Sequence, residues 1–177
     1  VPKGTFYGVH CALDYVKNDH VFIANADNPC MDPINIINMM KYDKAILSYK
    51  SNNKSAILVE KDMKLTEILE EMKLREKYCD KYNYRNTGFY YLQTDELKKI
   101  KLEDIGANND KGEYFFTDVF KYIKNTQIVI TDILSTKNFN TIKEMNDHLD
   151  TIKDKFNYNV ITEKAHGRLN LMGRHID

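Results

Sequence analysis

The chain carries no excess charge of either sign: 26 Lys and Arg stand against 26 Asp and Glu in 177 residues. That balance excludes the basic footprint of a nucleic-acid binder and the polybasic patch that holds a protein on anionic lipid. No apolar run approaches the roughly 18 residues that a membrane span requires, and no signal-peptide pattern opens the chain. Cysteine is scarce. Cys11, Cys30 and Cys79 are odd in number and far apart, which argues against a disulfide framework and for a reducing, cytoplasmic setting. The five histidines show no metal-ligand spacing, and no Ser-His-Asp arrangement can be argued. The absence of a G-x-G-x-x-G string disfavours a dinucleotide-dependent dehydrogenase. Internal repeats and low-complexity linkers are missing too.

What is present is 42% hydrophobic residues, enough for a core in one domain or slightly more. Residues 6–17 carry Val9, Ala12, Leu13 and Val16 at helical spacing. The run VFIANAD (21–27) reads as a buried parallel strand. Asp32-Pro33 reads as an N-cap followed by Pro at N1, opening a helix. KAILSYK (44–50), SAILVE (55–60), TGFYYL (87–92) and QIVITDI read as strands. Residues 64–80 read as a helix with Leu65, Ile68, Leu69 and Met72 inward. Further helices are expected at Asp95–Ile100, 113–124 and 140–156, and two strands in 158–177. Strand–helix alternation argues for an α/β protein with a parallel sheet.

In such a sheet, chemistry gathers at the carboxyl ends of strands. Asp27 leaves the run VFIANAD as a carboxylate suited to Mg²⁺; a turn aspartate is the plainer alternative. Gly4-Thr5 lets backbone N–H groups approach an anion at a helix start, or simply caps the helix. Glu60 stands in a strand-end EKD that is equally a solvated charge run. Asn86 offers an amide able to hold sugar hydroxyls, within an Asn-Thr-Gly that is also turn chemistry. Asn146 sits within the 140–156 helix, where an exposed polar face is the plain reading.

Taken in order, GTFYGVHCALDYV…VFIANAD, LVEKD, NTGFYYL, NNDKGEYFFTDVFKYI and MNDHL resemble the sugar-1-phosphate nucleotidyltransferase family, and most of all its N-acetylglucosamine-1-phosphate uridylyltransferase type. The resemblance covers about residues 3 to 156. It implies a partial Rossmann-like sheet with flanking helices over residues 1–157, lacking an N-terminal strand and Gly-rich loop. It implies an NTP and a sugar 1-phosphate as substrates and Mg²⁺ as cofactor. By resemblance, Gly4 and Thr5 line the nucleobase pocket, Glu60 and Asn86 contact the sugar phosphate, and Asp27 and Asn146 hold the metal. No covalent protein nucleophile is implied. Ala26 stands where the family commonly has glycine.

The closing string GRLNLMGRHID resembles the first motif of galactokinase-type GHMP kinases. It implies that residues 158–177, an expected β-hairpin, open a sugar kinase domain with Arg168, Arg174, His175 and Asp177 at sugar positions. Arg174 replaces the usual Glu of galactokinases. The expected whole is a bifunctional nucleotidyltransferase/sugar kinase of which this chain alone is inactive. An exposed sheet edge is an expected route to self-association. A non-catalytic nucleotide- or sugar-phosphate-binding module is the alternative.

Overall fold

The computed structural model describes residues 3–28, 31–52, 55–70, 78, 83–107, 112–133, 141–144 and 146. Helix α1 (Thr5–Leu13) leads through a loop into strand β1 (His20–Ala24). Then come α2 (Pro33–Met39), β2 (Ala45–Lys50), β3 (Ile57–Lys61), β4 (Lys64–Leu69) and β5 (Tyr84–Gln93). Helices α3 (Thr94–Lys98) and α4 (Leu102–Ile105), a 3₁₀ helix (Phe116–Lys121) and β6 (Gln127–Ile130) follow.

Alternation along the strands feeds two apolar layers. Ile46, Tyr90, Leu92 and Ile128 face one layer with Phe6, Leu97, Phe116, Val119 and Phe120. Ala45, Leu47 and Phe89, with Val129 at the margin, face the other under Met39 of α2. A sheet covered on both faces needs strands apolar on both faces, which is why these strands read as unbroken apolar runs. The α2 cap forms as its sequence dictates: the Asp32 carboxylate accepts from Ile34 N at 3.0 Å, with Pro33 at the first helical position.

Strand order is β1-β5-β2-β6-β4-β3, with one further pairing between β3 and β5. Among the described residues only β2 and β6 pair in parallel; β1, β2 and β3 all pair antiparallel with β5. The expected parallel pairing of VFIANAD is therefore corrected. Its strand lies at the sheet edge and is half-buried throughout. An apolar run records cover on both faces, not strand direction.

The helix expected from residue 64 is also corrected. Lys64–Leu69 is a strand, hairpinned to β3 through Asp62 and Met63, both at left-handed φ (54° and 60°). A register shift between Val59 and Glu60 brings Leu65 and Ile68, an odd number of residues apart, to one apolar layer, imitating helical spacing. Residues 71–80 lie outside the described residues except Tyr78, which is helical. The helix expected over 113–124 is a shorter 3₁₀ turn, Phe116–Lys121. Of 140–156, residues 142–144 and 146 are helical. The expected hairpin in 158–177 lies outside the described residues. No helix among the described residues is long and apolar enough to cross a membrane.

Candidate functional site

The carboxyl ends of β1, β2 and β6 share one edge of the sheet. Ala24 stands opposite Phe89, Ser48 opposite Asn86, and Ile130 beside Ser48. Helix α1 shares an apolar layer with the 3₁₀ helix, and its N-terminus is tied to the Tyr114–Phe116 segment.

The β2–β5 ladder breaks here. Ile46 pairs with Tyr90 but Ser48 pairs with Asn86, so Thr87, Gly88 and Phe89 together oppose Leu47. Such a bulge re-aims side chains. Gly88 takes φ 81°, and a Cβ on it would collide with the Asn25 amide. Only glycine fits both conditions. The bulge is laced down: Thr87 Oγ1 donates to Leu47 O at 2.7 Å, and Gly88 N donates to Asn86 Oδ1 at 3.1 Å.

Onto this bulge docks the turn after β1. Asn25 N donates to Gly88 O at 3.2 Å, and the buried Asn28 side chain donates to Thr87 O at 2.8 Å. Asn28 Oδ1 is buried without a hydrogen-bond partner among the described residues. Asp27, between them, is exposed. The structure thus brings Asp27 and Asn86 to adjoining segments of one edge. Asn146 is exposed and helical, and no hydrogen bond joins it to Asp27 among the described residues.

Gly4 and Thr5 are held against the segment before the 3₁₀ helix. Phe6 N donates to Tyr114 O, Tyr114 N to Lys3 O, and Phe116 N to Thr5 Oγ1, each at 2.9 Å. Gly4 has φ 91°, and a Cβ there would strike the Tyr114 backbone. The pair reaches the Asn86 region indirectly: Phe116 packs on Tyr90 at 4.7 Å between ring centroids, and Asn86 Nδ2 donates to Tyr90 OH at 2.9 Å.

Glu60 is placed elsewhere. Its carboxylate accepts from Met63 N at 2.9 Å and so braces the β3–β4 turn. It lies beyond Ile57, which pairs with Arg85, in the direction away from Asn86. The carboxylate on the Asn86 side is Glu70. Leu69 pairs with Ile57, so the register carried one residue further sets Glu70 opposite Ala56, whose carbonyl accepts from Asn86 N at 3.0 Å. Burial pushes the Tyr90 phenol up, the hydrogen bond from Asn86 opposes this, and the charge of Glu70 adds to it. Sequence reading missed Glu70 because the ILEE segment passed for a helix face; read as a strand, it ends in a carboxylate. Arg168, Arg174, His175 and Asp177 lie outside the described residues.

A shallow cavity of about 420 Å³ opens at the opposite edge, between Lys44, Glu96, Ile100, Tyr122 and Asn125. Lys44 there is bound by both Glu96 oxygens, at 2.8 and 3.0 Å. It lies at the amino ends of β2 and β6 and takes no part in the site above.

The fold is a mixed α/β sheet with flanking helices, like that of nucleotidyltransferase structures. Among solved structures, the chain is similar to CMP:2-keto-3-deoxy-manno-octonic acid synthetase in complex with CTP, with a TM-score of 0.60 and 10% identity, over 84% of this chain and 67% of that one. It is similar also to HddC from Yersinia pseudotuberculosis, with a TM-score of 0.57 and 15% identity, over 86% of this chain and 64% of that one. In sequence it is 30% identical over 150 residues to the bifunctional protein GlmU of Thermotoga petrophila, and 27% identical over 133 residues to that of Thermodesulfovibrio yellowstonii. Those matches take in 80% and 70% of this chain but 33% and 29% of the relatives, so the chain spans about a third of their length. No family model matches.

Proposed function

We propose that this chain is part of a sugar-1-phosphate nucleotidyltransferase, joining an NTP to a sugar 1-phosphate and releasing pyrophosphate. The observation that carries the reading is the bulge at Thr87–Phe89. It sets the Asn86 amide beside the turn that bears Asp27 and on the same side as Glu70. The likeness to GlmU proteins over most of the chain supports it.

In this reading the sugar sits against Asn86 and Glu70, and the base against Gly4 and Thr5. Glu60 is a turn residue rather than a sugar ligand. A phosphate oxygen of the sugar 1-phosphate attacks the α-phosphorus of the NTP. The bond from that phosphorus to the β-phosphate breaks, and pyrophosphate carries the electron pair away. Asp27 and Asn146 would hold Mg²⁺, which supplies charge neutralisation on the phosphates when bound. A carboxylate and an amide oxygen suit a hard cation, and next to Asp27 in sequence the buried Asn28 Oδ1 has no hydrogen-bond partner among the described residues. Among the described residues no group of three His, Cys, Asp or Glu converges. Mg²⁺ asks for no such cage, since it is held by one or two carboxylates plus water and substrate phosphate. The chain's own residues contribute by orientation, which can supply much of the barrier reduction in transfer chemistry.

The test is pyrophosphate release by the complete gene product, crossing four NTPs with several sugar 1-phosphates. Mg²⁺-dependent release with one pair is expected; sugar-phosphate binding without release under every combination favours a binding module instead. The resemblance of residues 166–177 supports a further proposal, that a sugar kinase unit begins at about residue 158. There, Asp177→Ala should remove ATP-dependent sugar phosphorylation and spare pyrophosphate release from supplied sugar 1-phosphate. Unchanged phosphorylation would leave that string a hairpin and nothing more.

A further inference from the structure

An asparagine side chain is a poor ligand for a sugar unless something fixes it. Its amide carries two N–H donors and two oxygen lone pairs, and a half-turn about the last bond exchanges them. In this chain both ends of the Asn86 amide are tied inward. Oδ1 accepts from Gly88 N at 3.1 Å, and Nδ2 donates to Tyr90 OH at 2.9 Å. One N–H and one lone pair are left over. That pair of groups matches a sugar hydroxyl, which both donates and accepts.

Gly88 N fixes which end is oxygen, but it is a single point about which the amide plane can still swing. Tyr90 supplies the second point. Its ring is only 4% exposed and is packed against the Phe116 and Phe120 rings, at 4.7 and 5.5 Å between centroids. The hydroxyl therefore cannot follow a moving amide. The bulge makes the contact possible by bringing residues four apart on one strand within hydrogen-bond distance. Burial and the Glu70 carboxylate both push the phenol up, so it stays a neutral acceptor for the amide across the physiological range.

We propose that Tyr90 is a positioning residue for sugar recognition, acting through Asn86 by locking the amide plane so that one N–H and one lone pair meet a hydroxyl of the sugar 1-phosphate. This rests on the nucleotidyltransferase reading above. The test is a double-mutant cycle in the complete gene product, with Tyr90→Phe, Asn86→Ala and both together. Tyr90→Phe should raise KM for the sugar 1-phosphate about fivefold, the size of one weakened hydrogen bond. KM for the NTP and kcat should stay within about twofold of wild type, because the ring remains in the core. In the Asn86→Ala background the same change should have no further effect. A Tyr90→Phe effect that persists undiminished without Asn86, or an unchanged KM in Tyr90→Phe alone, overturns the assignment. A wild-type KM in Asn86→Ala overturns the sugar reading of the site and Tyr90's role with it. If Tyr90→Phe melts below the assay temperature, ¹⁵N labelling of the wild-type Asn86 amide decides. One Nδ2 proton protected from exchange and one that shifts on adding sugar 1-phosphate is expected; two freely exchanging protons overturn the proposal.

Discussion

At the scale of single residues, the edge is held by groups with no slack. Gly88 is the clearest. A side chain there is opposed twice, by φ 81° and by the Asn25 amide. Gly88→Ala should destabilise the chain by about 1–3 kcal/mol, measured by urea denaturation, and should also impair transfer because the turn bearing Asp27 hangs from Gly88 O. Asp27 is the opposite case. It is exposed, and among the described residues none of the hydrogen bonds that hold its turn uses its carboxylate. Asp27→Asn should leave the melting temperature unchanged and lower kcat/KM on the order of 100-fold, as expected when one charge-stabilising group is lost. Near-native turnover in that variant would make Asp27 a turn residue.

At the scale of elements, the β3–β4 hairpin separates two carboxylates that one stretch of sequence offers. Glu60 closes the turn at Asp62 and Met63, and Glu70 leaves β4 toward Asn86. Glu60→Ala should lower stability by about 1.5–3 kcal/mol, the value of a hydrogen bond to a charged group, with kcat/KM within about twofold of wild type. Glu70→Ala should show in binding instead, as a large rise in KM for the sugar 1-phosphate. Exchange of those two outcomes would return the sugar role to Glu60.

At the scale of the molecule, helices on both faces and a mixed sheet bring distant segments to one edge, and contacts at the other edge set how they lie. Asp43, just before β2, joins β1 and β5. Gln93 Nε2 donates to it at 2.6 Å, and His20 lies 3.3 Å away. The bond from Gln93, then that with His20, holds its carboxyl below the ordinary value of 3.8. A depressed folded-state pKa means stability that is present above the unfolded value and lost as pH falls through the folded one. Urea midpoints should therefore drop from about pH 4 downward, and Asp43→Asn should drop less over the same window. Equal slopes would remove Asp43 from the acid response. The proposed Mg²⁺ and triphosphate chemistry belongs to this scale too. Removal of Mg²⁺ with EDTA is expected to abolish pyrophosphate release by the complete gene product.

The sequence by itself determined where most strands and caps fall. Alternating side chains such as Ala45, Ile46 and Leu47 are apolar toward both layers, and the Asp32-Pro33 cap is a local matter of one hydrogen bond and one fixed φ. It also placed Asp27 at a strand end and Asn86 before a glycine. Tertiary structure decided the rest. Whether Val21–Ala24 runs parallel or antiparallel depends on its neighbour in the sheet, and that neighbour is Phe89–Leu92, far along the chain. Whether Lys64–Leu69 coils or extends was settled by pairing with β3 across a turn that needs two left-handed residues, against a periodicity that suited a helix equally well. Glu70 and Tyr90 joined the site only through that pairing and the bulge opposite Leu47. Periodicity reports how a segment meets the core; which segment lies beside it is fixed by hydrogen bonds between residues that no local pattern relates.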